Sequence, residues 1–292
     1  MAAASYVRIA SRRSKVDWQP PAGDVRVGTL SARTLGRQGL PIVLLHGLAA
    51  SNRYWGAAFD ELADLGRLVV PDLLGFGASP KPAHGYQPAD HADAVAACVR
   101  ETTGSDGPAL IGAHSTGCLV AFSLARRHPE LVAAIVAFAP PLYASRAQAR
   151  AHITNLGLME RLFALDTPAA YWACRWVCEH RRAAAELAVL TRPDLPAPIA
   201  RDSVQHTWAS YSETVRAVLL DGSGIELLNA IQAPVHFVVG LNDPIPDRPL
   251  LEQAAATHRH FSLSEWADAD HQLTLTHPNR ALHELHRALP TS

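Results

Sequence analysis

Short apolar runs bounded by glycine, proline and polar turns alternate with longer stretches of helical spacing through the first half of the chain. Residues 42–45, Ile-Val-Leu-Leu, are apolar at every position, the pattern of a strand covered on both faces. A helix is predicted over 51–65 with Ser51 as its N-cap, followed by a strand at 68–70. The same logic predicts a helix over 88–102, a strand at 109–113, a helix over 115–128 and a strand at 131–139. Upstream, residues 24–34 alternate and predict an edge strand or hairpin. Strands that alternate with helices imply a parallel sheet with helices on both faces.

Pro140-Pro141 breaks this rhythm. From 142 to about 225 there is no good strand, only helical stretches near 145–165, 168–190 and 198–220. Strands resume at 234–240 and near 260–265, and a helix over 278–288 follows. An insertion of this length between two strands of one sheet is too long for a plain loop and reads as a lid. The expected organisation is a polar leader over 1–23, a first core segment over 24–140, a helical lid over 141–225 and a second core segment over 226–292.

Composition narrows the partners. Of 292 residues, 48% are hydrophobic and 18% charged, with a formal net charge of -1, which points away from disorder and from a nucleic-acid footprint. A small, largely apolar substrate fits this balance better than a polyanion. No run of about 18 apolar residues predicts a membrane span, and Arg12-Arg13 is not followed by the apolar stretch of an export signal. A cytoplasmic protein with no membrane partner, monomeric or homodimeric, is expected. Cys98, Cys118, Cys174 and Cys178 lack the spacing of a disulfide framework or zinc site and read as buried or helix-face thiols. No metal and no cofactor are expected.

Chemistry enters at Ala113-His114-Ser115-Thr116-Gly117, directly after the apolar run 108–112. A strand that ends in a sharp turn exposing a serine at a helix start is a nucleophile elbow, and small residues two before and two after the serine admit the neighbouring main chain. Serine needs a histidine to take its proton, and the histidine needs an acid to fix its tautomer. Asp243 follows the strand at 234–240 and His271 follows the strand at 260–265, in the order serine, acid, histidine. Asp247 is a rival acid, and Asp270 is close enough to orient its neighbour instead. An acyl-transfer site also needs two N–H donors aimed at the developing oxyanion. Thr116 and Leu48, the latter after the strand ending His46-Gly47, are the expected backbone donors. His46 and His114 read as braces of their turns. The glycine-rich turn over 72–79 lacks phosphate-loop spacing and reads as a loop bordering the site.

With these residues in view, the chain resembles the α/β-hydrolase superfamily, in its lidded branch of esterases, lactonases, cofactor-free haloperoxidases and carbon-carbon bond hydrolases. The resemblance rests on His46-Gly47 with Ser51 and Trp55, the 72–79 turn, the Ser115 elbow, Asp243 and His271, and it covers about 39–287, with the lid matching in position only. Ala113 stands where the family usually has glycine. Haloalkane dehalogenases and epoxide hydrolases of this fold place aspartate at the elbow, where this chain has Ser115. Proline iminopeptidases show His-Gly-Gly-Pro-Gly against His46-Gly47-Leu48-Ala49-Ala50 here, and carbon-carbon bond hydrolases often show asparagine in place of His114.

The resemblance implies a serine hydrolase acting on a small, largely apolar ester or lactone. Carbon-carbon bond hydrolysis, a cofactor-free lyase or cyclase activity, and a ligand receptor with slow turnover are the alternative roles. Aromatic residues concentrate in the lid. Trp172, Trp176 and Trp208 are expected to line the substrate pocket, with Trp55, Phe76, Tyr143 and Ile245 as further wall residues.

Overall fold

The apolar runs pair into one eight-stranded sheet. Its strands are β1 (Asp24–Val27), β2 (Ser31–Leu35), β3 (Leu40–Leu45), β4 (Gly66–Pro71), β5 (Ala109–His114), β6 (Val132–Phe138), β7 (Val235–Gly240) and β8 (Phe261–Trp266). They lie in the order β1-β2-β4-β3-β5-β6-β7-β8, with the β1/β2 and β2/β4 pairs antiparallel and the other pairs parallel. The structure is a computed structural model that describes residues 16–36, 38–104, 107–156, 167–222 and 224–289.

Alternation along the strands builds two apolar layers. Val43, Leu45, Ile111 and Ala113 face one side, where Val95, Val99, Val120 and Leu124 meet them from α1 (Pro88–Thr103) and α2 (Thr116–Arg127). Ile42, Leu44, Leu110 and Val136 face the other side, against Trp55, Phe59, Leu282 and Leu285. Coverage on both faces is why these strands read as unbroken apolar runs.

Between β6 and β7 the chain is helical. The described elements are α3 (Arg146–Leu156), α4 (Pro168–Glu179), α5 (Arg181–Thr191), α6 (Ala197–Asp202), α7 (Trp208–Thr214), a π-turn over Val215–Leu219, and α8 (Gly224–Asn229). After β7 come α9 (Arg248–Thr257), β8, α10 (Leu273–Thr276) and α11 (Pro278–Arg287).

Several expectations are corrected. The helix predicted over 51–65 is two 3-10 segments, Asn52–Tyr54 and Ala57–Asp64. The Asn52 N–H donates to Asp72 and the Ala57 N–H to the Gln19 carbonyl, so this backbone is satisfied from outside rather than by a helical ladder. The stretch 168–190 is broken at His180. The stretch 198–220 is broken before Thr207, which caps α7 by accepting from the Ser210 N–H. Of the helix predicted over 145–165, the part beyond α3 lies largely in 157–166, outside the described residues, as does 1–15 of the leader. From residues 16–23, Val16 and Trp18 pack on the core, with Trp18 Nε1 donating to the Arg53 carbonyl. The helix α9 was not legible because its cap, Asp247, reads equally well as a loop acid; it accepts from the Leu250 N–H.

Buried polar contacts join the insertion to the core. Asp202 accepts from Ser51 Oγ at 2.6 Å and from Arg53 Nη2 at 2.7 Å, and His91 Nε2 meets Thr214 Oγ1 at 3.1 Å. Burial pushes both His91 and His206 down to about 4. In the unfolded chain each histidine returns to an ordinary value of about 6.5, so the unfolded state takes up protons first as pH falls. Stability is therefore expected to be full above about pH 6.5 and to decline toward pH 4. Thermal unfolding across this range should show the fall, and His91→Leu should flatten part of it. A midpoint unchanged between pH 7 and pH 4.5 would contradict this.

Candidate active site

Ser115 occupies the turn between β5 and α2 with φ 52° and ψ -126°, a left-handed conformation that costs a non-glycine residue free energy. The turn is held on both sides. The Ser115 N–H donates to the Phe138 carbonyl at 2.9 Å, and the Ser115 carbonyl accepts from the Cys118 N–H at 2.8 Å. Gly117 is required by space: a Cβ there would stand 2.5 Å from the His46 carbonyl oxygen and 2.9 Å from that of Leu45. Ala113 is fully buried.

The 46–48 turn runs beside the serine. A Cβ on Gly47 would lie 3.1 Å from Ser115 Cβ. His46 braces this turn: its Nε2 accepts from the Leu73 N–H at 2.9 Å, which leaves the proton on Nδ1 to donate to the Gly47 carbonyl at 2.7 Å. Burial lowers its pKa, consistent with a neutral ring. Thr116 is the first residue of α2, so no carbonyl of that helix reaches its N–H. The 72–79 turn wraps its own acid: Asp72 accepts from the Asn52 and Ala78 N–H groups at 2.5 and 2.7 Å, and a Cβ on Gly77 would strike the carboxylate at 2.3 Å.

The residues predicted from strand ends meet. His271 Nε2 is 3.0 Å from Ser115 Oγ, and His271 Nδ1 is 2.8 Å from Asp243 Oδ2. The carboxylate must accept, so Nδ1 carries the proton and Nε2 is open to the serine hydroxyl. Asp243 has a fully buried side chain, and its Oδ1 accepts from the Ile245 N–H at 2.9 Å, which fixes the carboxylate plane. The rival acids are occupied elsewhere. Asp247 caps α9 and accepts from Gln148 Nε2, while Asp270 accepts from the Gln272 N–H.

His114 has a part that sequence reading missed. Its Nε2 lies 2.8 Å from the His271 carbonyl and donates to it, and its ring stacks on Tyr54 at 4.7 Å. Burial, and then the neighbouring His271, hold its pKa well below the ordinary value, so the ring is neutral. Tyr54 in turn reaches the following residues, through Gln272 Oε1 at 3.2 Å and Thr274 Oγ1 at 2.9 Å. The residue before Ser115 thus anchors the loop carrying His271. A histidine in a brace position was the only signal in the sequence.

A family model described as alpha/beta hydrolase fold matches residues 41–182. A solved structure of a thermophilic esterase from Thermogutta terrifontis superposes with a TM-score of 0.60 at 26% identity, over 88% of this chain and 92% of that one. That of E-2-(acetamidomethylene)succinate hydrolase superposes with a TM-score of 0.69 at 19% identity, over 88% of this chain and 94% of that one. The chain has the α/β-hydrolase fold. Among curated relatives, the protein named "Probable lysophospholipase BODYGUARD 4" of Arabidopsis thaliana is 29% identical over 224 residues, covering 70% of this chain and 53% of that protein. The 2-(acetamidomethylene)succinate hydrolase of Mesorhizobium japonicum is 30% identical over 152 residues, 51% of this chain and 52% of that protein. The chain thus spans about half the length of these two curated relatives.

Within this fold the expected wall residues divide. Tyr143 is buried and donates to the Ile245 carbonyl at 2.8 Å, so both belong to the loop carrying Asp243. Phe76 is buried edge-on to His46. Trp208 is half-buried, edge-on to Tyr171. Three expectations need correcting. Trp55 has no exposed surface and packs against Phe59 and Phe138 in the second core layer. Trp172 and Trp176 are 60% and 42% exposed, on a face of α4 directed to solvent, because the small residues Ala170 and Cys174 take its buried positions.

Gly117→Ala tests the packing of the elbow. The added Cβ must displace main chain, so a loss of about 2 kcal/mol or more is expected in denaturant unfolding. Wild-type stability in this variant would contradict the geometry.

Proposed function

We propose that the chain is a serine hydrolase that cleaves a small, largely apolar carboxylic ester or lactone through Ser115, His271 and Asp243. The observation that carries this reading is the continuous hydrogen-bond line from Ser115 Oγ through His271 to a buried Asp243, with the serine in a left-handed turn. In the proposed reaction Ser115 Oγ attacks the carbonyl carbon while His271 Nε2 takes its proton. The N–H groups of Leu48 and Thr116 receive the oxyanion. His271 then protonates the leaving alkoxide, and the acyl-enzyme forms. Water, deprotonated by His271, attacks the acyl carbon and releases the acid and Ser115. Asp243 stabilises the imidazolium in both halves.

Ester chemistry draws support from the names of the relatives, an esterase at 26% identity over most of both chains and a lysophospholipase. The helical insertion is proposed as the lid over this site, with Trp208 and Ile245, the half-buried ones among the expected wall residues, lining the pocket.

A panel of short-chain and aryl esters and lactones tests the proposal. At least one should be turned over, with heavy oxygen from labelled water entering the released acid, and Ser115→Ala should lower kcat by about 10⁴-fold or more. Turnover that survives Ser115→Ala would overturn the assignment. His114→Phe keeps the ring against Tyr54 but removes the donor to the His271 carbonyl. It should lower kcat by roughly 10- to 100-fold with little change in KM, and His114→Asn should recover part of the loss. Equal kcat in His114→Phe would remove the positioning role.

A further inference from the structure

An open cleft of about 420 Å³ lies between α5, α6 and the 77–81 segment of the core, lined by Gly77, Lys81, Arg181, Arg182, Arg201 and Gln205. Two of its cations are fixed by neutral groups. Lys81 Nζ donates to the Gly77 and Ser79 carbonyls at 2.7 and 3.0 Å, and Arg181 donates from Nη1 and Nη2 to the Val204 and His206 carbonyls, both at 3.0 Å. A carbonyl satisfies a donor but leaves the charge uncancelled. Among the described residues, no carboxylate forms an ion pair with Lys81, Arg181 or Arg182; Arg201 alone is neutralised, by Glu186 at 2.8 Å. Asp72 acts on Lys81 from nearby and offsets part of its charge.

The cluster stands out in a chain whose formal net charge is -1. Its members also repel. Burial and then Arg181 hold Lys81 below its ordinary range, and Arg181 and Lys81 both add to the depression of His206. Two guanidiniums without a carboxylate partner and a partly offset ammonium around one concavity focus a positive potential that a bound anion would relieve. The donors have the right kind for oxyanions, since guanidinium forks and an ammonium all donate and none accepts.

We infer that this cleft binds a small molecule carrying a doubly charged oxyanion group, a phosphate monoester or paired carboxylates. The site joins core to insertion, so an occupant would tie the 77–81 segment to α5 and α6. This inference does not depend on the proposed ester hydrolysis.

Calorimetric titration of the whole chain with inorganic phosphate, and separately with glutarate, at fixed ionic strength in chloride, tests it. Saturable binding with a Kd of about 0.1 to 10 mM is expected for at least one anion, weakening as salt is raised. Tighter phosphate would identify the phosphate form of the ligand, and tighter glutarate the carboxylate form. Arg182→Gln, at an exposed position that anchors no described backbone group, and Lys81→Met should each weaken binding about three- to tenfold. Arg175→Gln, on the same insertion but outside the cleft, should leave it unchanged. Absence of saturation by either anion up to roughly 20 mM, or the same affinity in Arg182→Gln and Lys81→Met as in wild type, would overturn the inference.

Discussion

The close approach of Gly117 to the carbonyls of Leu45 and His46 is the constraint on which the rest of the site depends. It allows the start of α2 to pass against the end of β3, and that passage forces Ser115 into a left-handed turn. The same approach brings Gly47 against the serine. With the serine so raised, loops after β7 and β8 need only reach the same end of the sheet to present an acid and a histidine. Parallel pairing of β5, β6, β7 and β8 ensures that they do, because it puts all their carboxyl ends together.

Much of this was legible in the sequence because it rests on local signals. Continuous apolar runs mark doubly covered strands, and the small residues around Ser115 mark a turn that admits main chain. What failed had non-local causes. Nothing between residues 51 and 65 announces that Asp72 and Gln19 would take backbone N–H groups that a helix needs. Asp247 and Asp243 lie in one acidic, proline-rich loop, and only the packing of α9 separates a helix cap from the partner of His271. Trp172 and Trp176 share a helix face by spacing, yet spacing does not say whether that face turns inward; Ala170 and Cys174 decide it.

Histidines carry unequal burdens here. His46 and His114 are neutral, buried braces that hold main chain beside the serine, His46 through both ring nitrogens and His114 through Nε2. His271 is aligned between the Ser115 hydroxyl and the buried carboxylate of Asp243. At the junction with the insertion, His91 and His206 are kept uncharged by burial, whereas Lys81 and Arg181 keep their charges on carbonyl supports. The junction thus retains an excess of positive charge.

The central claim is that Ser115 is an activated nucleophile. It is tested most directly by exposing the folded protein to a fluorophosphonate probe, then measuring intact mass and mapping the labelled peptide. The account predicts a single adduct on Ser115 that is lost when His271 is replaced by alanine. An unlabelled protein, or an adduct on another residue, would contradict it.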